Sequence, residues 1–286
     1  MTEQPLVSVI INCYNSAKYL RETIDSLIAQ TYSNWEAIFW DNCSTDKTAE
    51  IIKSYGDPRF RYFLAEKNTP LGYARNLAVD NAKGEIVTFL DSDDLWKETW
   101  VESFVNMFKS DDSITIVFCR FEVFSSNYSR LNRTLLKNEE GYLPMDEFIN
   151  KYSVGMSGAA INKRILDFNQ IRFDESFNLI EDYDFFVRIA SYGKIYFFST
   201  PYFMYREHSD NLSHKASTWH TEFEAMKAHI VTSEPSYELL SNYMSSIDKK
   251  IETYTFIDAL NEKNYLRAFL KHPRTFYRWL CERRKL

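Results

Sequence analysis

The chain has 286 residues and a mass of 33.9 kDa, room for a full core in one large α/β domain or in one domain with an extension, and its composition favours the second. A net charge of -6 argues against general nucleic-acid binding, and no run approaches the roughly eighteen uninterrupted apolar residues of a bilayer span. Charged residues (26%) and apolar residues (45%) are ordinary, whereas 22 Phe, 19 Tyr and 6 Trp imply a well-filled core and surface suited to sugar or membrane.

The N-terminal MTEQPLVSVIINCYN lacks a basic leader region and reads as a first strand over 6–11. Apolar residues at helical spacing predict a helix over 17–30, and NWEAIFW (34–40) predicts a second strand. STDKTAEIIKSYG (44–56) predicts a helix opened by Ser44 or Thr45 and stopped by Gly56. RFRYFLA is a third strand, LGYARNLAVDNAKG (71–84) a third helix stopped by Gly84, and EIVTFLD a fourth strand. Such alternation predicts a mostly parallel, doubly wound sheet, whose ligands bind beyond the carboxyl ends of the strands. The clusters NCYN, DNCSTD and DSDD each follow a strand and should share that rim.

Beyond it, WKETWVESFVNMFKS predicts a helix, TIVFCRFEVF a long strand, MDEFINKYS a helix, SVGMSGAAINKRIL strand or loop, FDESFNLIEDYDFFVRIASYG a helix and KIYFFSTPYFMYR a strand. After about residue 210 the segments read as helical. Cys13, Cys43, Cys119 and Cys281 are widely spaced without a CxxC pair, as expected of reduced cytosolic thiols.

The seven glycines stand at 56, 72, 84, 141, 155, 158 and 193, none between the first strand and first helix. A dinucleotide fingerprint and a phosphate-binding P-loop both need glycine there and are excluded. A diphosphate must then be neutralised another way. Asp91, Asp93 and Asp94 at the end of a hydrophobic strand suit Mg²⁺ or Mn²⁺, which takes one or two carboxylates together with substrate phosphates. The same residues also read as an acidic turn, with Asp93 or Asp94 capping a helix that starts near Trp96.

Taken together, PLVSVIINCYN through DNCSTDKTAEII, GYARNLAVDNAKGEIVTFLDSDD and IEDYDFFVRIASYGKI resemble glycosyltransferase family 2, with the GT-A fold, over residues 5–208. The resemblance is greatest to bacterial members that build surface polysaccharides such as O-antigen or capsule. It implies a catalytic domain over 1–210, with a nucleotide-binding half to about 95 and an acceptor half beyond, then a helical extension over 211–286. It assigns Asp93 as the direct metal ligand and Asp91 as a ribose or second contact, with Ser92 between them. Asn12 and Tyr14 fall at the nucleobase, and Arg75 and Asn76 near base and diphosphate. Asn42 replaces the aspartate that in relatives accepts the uracil N3 proton; its carbonyl can still accept that bond. Asp182 of the Glu181-Asp182 pair is the implied catalytic base, deprotonating the acceptor hydroxyl as it attacks the anomeric carbon in a single inverting displacement. Arg206 and His208 are implied to close over the diphosphate and metal, while Met156, Ser157 and Gly158 shape the acceptor or donor-sugar pocket.

The implied partners are a nucleotide-sugar donor, with UDP favoured, and a glycan or lipid-linked glycan acceptor; the expected place is the cytoplasm. The tail 265–286 carries seven Lys/Arg against Glu282 alone, a charge of +6, interleaved with Phe269, Phe276, Tyr277 and Trp279. It reads as a peripheral membrane contact, or as a solvated or dimer-forming helix. Two competing functions are a nucleotidyltransferase of the same fold, disfavoured by the glycine-poor first loop, and a non-catalytic sugar-nucleotide or glycan-binding protein.

Overall fold

The computed structural model describes residues 1–132, 140–209, 211, 219–232, 235–261, 265 and 270. The chain divides into two compact units, Met1–Ser209 and Asp210–Leu286.

In the first unit, strands β1 (Val7–Cys13), β2 (Trp35–Asp41), β3 (Phe60–Leu64) and β4 (Ile86–Phe89) alternate with helices α1 (Leu20–Ile28), α2 (Thr48–Ser54) and α3 (Leu71–Asp80). All neighbouring pairs in the order β3-β2-β1-β4 are parallel. Val7, Val9, Ile10 and Ile11 of β1 are buried on both faces, the mark of a central parallel strand covered by helices. α1 turns Leu20, Ile24 and Leu27 inward at helical spacing.

Two punctuation signals act differently from expectation. α2 begins at Thr48 rather than at Ser44 or Thr45, because the Asp46 carboxylate accepts the Thr48 N–H (3.0 Å) and also the Ala17 N–H (2.9 Å), joining the entrances of α1 and α2. α3 ends at Asp80, before Gly84. Gly84 lies instead against β1, donating its N–H to Ser8 Oγ (2.8 Å), where a Cβ would sit 2.6 Å from Leu6 O. Gly56, with φ +61°, does stop α2 as expected.

The second half of the sheet is mixed. β5 (Leu95–Trp96), α4 (Trp100–Ser110), β6 (Ile114–Phe124), β7 (Ser129–Leu131), β8 (Gly141–Leu143) and α5 (Met145–Asn150) lead to a 3-10 turn (Met156–Gly158). After it come β9 (Ala159–Asn162), α6 (Lys163–Phe168), α7 (Glu181–Ala190) and β10 (Lys194–Arg206). β9 inserts antiparallel between β4 and β6, β10 runs parallel to β6, and β5, β7 and β8 add antiparallel edges. Leu95–Trp96 being a strand and α4 starting only at Trp100, Asp93 and Asp94 do not cap that helix. β10 loses register around Pro201, which has no N–H for the ladder.

One face of the sheet holds Trp35, Phe39, Trp100, Phe104 and Phe108. Elsewhere Phe173 stacks on Phe185 (3.8 Å), and Phe89 packs edge-on against both. Much of the aromatic excess is therefore core. Cys13, Cys43 and Cys119 are free thiols, and burial raises those of Cys13 and Cys119.

In the second unit, α8 (Trp219–Val231) packs on α9 (Met244–Asn261), with Tyr254 stacked on Trp219 (5.4 Å) and Phe223 (4.8 Å), and a 3-10 stretch (Pro235–Tyr243) precedes α9. Among the described residues no helix is long and apolar enough to cross a membrane. Cys281 and the basic aromatic tail, apart from Tyr265 and Leu270, lie outside the described residues.

Candidate functional site

β4 delivers its acidic cluster to the carboxyl rim of the sheet. A turn closes on itself as Asp94 N–H donates to Asp91 O (3.1 Å), aiming the carboxylates of the cluster differently. Asp94 points inward and is fully buried; its Oδ2 accepts from Ser157 Oγ (2.6 Å) and its Oδ1 from the Arg206 N–H (3.0 Å). Burial pushes this carboxyl well above the ordinary aspartate range, and the charges of Asp91 and Asp93 push it further. Ser157 Oγ also accepts the Asp91 N–H (3.0 Å), and its carbonyl accepts Trp96 Nε1 (2.6 Å). Asp94 and Ser157 thus set the position of the two aspartates that face outward.

Those two remain open. The Asp91 side chain is 38% exposed and the Asp93 side chain 29%. Asp93 Oδ2 meets His208 Nε2 at 2.9 Å, and its other oxygen has no partner among the described residues. Among those residues no group of three or more His, Cys, Asp or Glu is preassembled around a cation. Two partly open carboxylates nonetheless fit Mg²⁺ or Mn²⁺, which leave most coordination positions to phosphate and water.

The second acidic motif opens α7, and Arg75 of α3 connects it to the first. Arg75, its side chain 6% exposed, places one guanidinium nitrogen 3.4 Å from Glu181 Oε1 and another 3.6 Å from Asp91 Oδ1. Burial raises the Asp91 carboxyl, Arg75 opposes the rise, and Asp93 and Asp182 add to it. Asp182 is likewise raised by burial and lowered by Arg75. Its Oδ2 accepts from the Tyr152 hydroxyl (3.4 Å), and burial with the neighbouring Asp182 charge lifts that phenol well above the usual tyrosine range. Tyr152 carried no sequence signal, being one aromatic among many after a short helix. Asp184 faces away from the rim into a buried ion pair with Arg188.

Several expected ligand contacts prove to be internal ties. Both ends of the Asn76 amide are taken by the Phe173 backbone, at 2.9 and 2.7 Å, so Asn76 clamps α3 to the segment before α7 instead of facing a nucleotide. Asn42 Oδ1 accepts from the N–H and hydroxyl of Thr69 (3.1 and 3.0 Å), and its Nδ2 donates to Thr69 O (2.7 Å); its side chain is occupied by the chain itself. Arg206 is not free to close over a diphosphate. Its Nε donates to Asp93 O (2.8 Å), it pairs with Glu22 (2.9 Å), and its guanidinium lies between Tyr19 (4.4 Å) and Phe124 (4.5 Å). Met156, Ser157 and Gly158 are buried, and a Cβ on Gly158 would stand 2.4 Å from the Phe203 ring; they form a packed turn, not an open sugar pocket. Asn12, by contrast, keeps a buried Nδ2 without a partner among the described residues, and Tyr14, two residues on, is 57% exposed. Ser92 Oγ meets Ser16 Oγ (2.7 Å), joining the exit loops of β4 and β1.

A family model described as "Glycosyl transferase family 2" matches residues 8–211. An uncharacterized glycosyltransferase of Rickettsia typhi is 31% identical over 94% of this chain and 88% of its own length. Two further Rickettsia relatives are longer, and the matched regions cover 37% and 33% of them. TuaG of Bacillus subtilis, described as a teichuronic acid biosynthesis glycosyltransferase, is 32% identical over 56% of this chain and 63% of its own. WfgD of Escherichia coli, described as a UDP-Glc:alpha-D-GlcNAc-diphosphoundecaprenol beta-1,3-glucosyltransferase, is 32% identical over 43% of this chain and 48% of its own. Among solved structures, S. aureus TarS 1-349 in complex with UDP-GlcNAc superposes with a TM-score of 0.69 at 18% identity, covering 93% of this chain and 89% of that one.

Proposed function

Since the chain belongs to glycosyltransferase family 2 and is therefore a glycosyltransferase of GT-A fold, we propose that it moves a sugar from a UDP-sugar to a saccharide hydroxyl with inversion, using Mg²⁺ or Mn²⁺. The observation that carries this reading is the Arg75 bridge, which holds Asp91 of one acidic motif and Glu181 of the other within 3.6 Å of a single guanidinium. A donor's leaving group and an acceptor's proton have to be handled side by side, and this bridge brings the groups suited to each together.

Asp91 and Asp93 would hold the cation, which when bound supplies positive charge to the departing diphosphate. Asp182 takes the proton from the acceptor oxygen as that oxygen attacks the anomeric carbon and the bond to the diphosphate breaks. Desolvation makes the Asp182 carboxylate a stronger base than an exposed aspartate, and the Arg75 charge opposes that rise. The Tyr152 hydroxyl donates to one Asp182 oxygen (3.4 Å) and the Tyr183 N–H to the other (2.7 Å), which fixes the orientation of the carboxylate while each oxygen keeps a lone pair for the acceptor. The UDP-GlcNAc complex of TarS and the donor named for WfgD support a UDP-sugar, and WfgD supports an acceptor on a polyprenyl diphosphate. Such an acceptor is presented at the cytoplasmic leaflet, which the basic tail 265–286 would meet.

The test is nucleotide release from UDP-, GDP- and dTDP-sugars with Mn²⁺, with Mg²⁺ and with excess EDTA, alongside UDP binding by calorimetry. Cation-dependent release from a UDP-sugar, lost in Asp182→Asn while UDP binding persists, is the expected result. Full turnover in EDTA, or in Asp182→Asn, would overturn the metal or base assignment respectively.

A further inference from the structure

The ties that occupy Asn42 raise the question of what meets the base instead. β2 ends at Asp41, and the residues after it are bound to the strap 65–69 by five hydrogen bonds. Asn42 makes three of them with Thr69; its carbonyl accepts from Asn68 Nδ2 (2.9 Å), and Cys43 Sγ donates to Ala65 O (3.0 Å). With two donors on Asn42 Oδ1, both lone pairs of that carbonyl are filled. The hydrogen of the Thr69 hydroxyl is directed at Asn42, which leaves the lone pairs of the half-buried Thr69 Oγ1 as its remaining capacity. A hydroxyl fixed in this way accepts and does not donate.

On the same rim, Asn42 N–H donates to Cys13 O (2.8 Å), one residue beyond Asn12, whose buried Nδ2 is an unmatched donor among the described residues. Thr69 Oγ1 thus has acceptor capacity and Asn12 Nδ2 donor capacity that no described residue uses. Uracil presents the complement, an imide N–H flanked by carbonyl oxygens, whereas cytosine presents a lone pair at the same ring nitrogen.

We infer that the Thr69 hydroxyl, oriented by Asn42, accepts the imide N–H of a uracil-type base, with Asn12 Nδ2 donating to an adjacent base carbonyl. Thr69 is then the specificity-determining contact and Asn42 a positioning residue. This rests on the nucleotide-sugar reading above.

The experiment is calorimetric binding of UDP and CDP, with Mn²⁺, to the full chain and to Thr69→Val and Thr69→Ser. Wild type should prefer UDP. Thr69→Val should weaken UDP about fivefold or more with little change for CDP, and Thr69→Ser should keep the wild-type ratio. Should Thr69→Val not fold, Thr69→Ala is read in the same way, because a ratio of two affinities in one protein does not follow its stability. A wild-type ratio retained in Thr69→Val, or a wild type that prefers CDP, overturns the Thr69 assignment alone. A wild type that binds neither nucleotide overturns the donor reading together with it.

Discussion

Replacing Arg75 by Met, which keeps the length of the stem and removes the charge, should weaken both the fold and the site. At an effective dielectric of about 20, charges roughly 3.5 Å apart attract by about 5 kcal/mol. Water reaches 38% of the Asp91 side chain and screens that contact, so the loss falls mainly on Glu181, whose side chain is 15% exposed. Leaving these carboxylates without their cation costs about 3 kcal/mol, which lowers Tm by roughly 6–12 °C in a unit of this size. Because Arg75 holds the Asp182 carboxyl down against burial, the variant should also move the acid limb of donor turnover to higher pH. Arg75→Lys, which retains the charge, should lie between the two. Thermal unfolding and a pH profile of kcat/KM read both effects. A Tm within about 2 °C of wild type together with an unmoved acid limb would refute the bridge.

Other outcomes follow from the packing. Gly84→Ala forces a Cβ to within 2.6 Å of Leu6 O and Ser8 N, backbone atoms that cannot turn aside, and should cost about 1–3 kcal/mol in denaturant unfolding. Arg188→Met leaves the fully buried Asp184 without its cation and should cost about 3–5 kcal/mol, with Arg188→Met/Asp184→Leu recovering much of the loss on the same measurement. Cys43 holds φ +67° with a side chain, so Cys43→Gly should raise stability by up to about 1 kcal/mol, offset in part by the lost thiol contact to Ala65; calorimetric Tm decides. Asp182 has its folded carboxyl raised above the unfolded value, so the stability it contributes is present below the unfolded pKa and lost as pH rises through the folded pKa. Asp182→Asn should therefore be no less stable than wild type at neutral pH, even with turnover gone.

Local pattern was enough to place the strands and helices of the first half and to bring the three polar clusters to one rim. There the apolar periodicity reports burial directly, and parallel strands joined by helices leave few topologies open. The antiparallel insertion of β9 was not legible, since a four-residue strand after a long excursion chooses its neighbours by long-range pairing alone. The acidic motifs were legible as motifs, but the Arg75 bridge, the Tyr152 contact and the inward turn of Asp94 join residues 16 to 106 positions apart or more, or lie in burial, and burial is not written in a spacing.

Composition and order by themselves determined an α/β chain with a carboxylate-lined, glycine-poor rim, because residue type and hydrophobic period are local properties. Which polar side chains remain available to a ligand was decided only in the folded chain. Asn42, Asn76 and Arg206 look from the sequence as open to substrate as Asn12 or Asp93. Tertiary packing placed Thr69, Phe173 and the Asp93 carbonyl within hydrogen-bonding distance of the first three, and left Asn12 Nδ2 and one Asp93 oxygen without a partner among the described residues. A hydrogen-bonding group inside a protein acts on what its neighbours have not already taken.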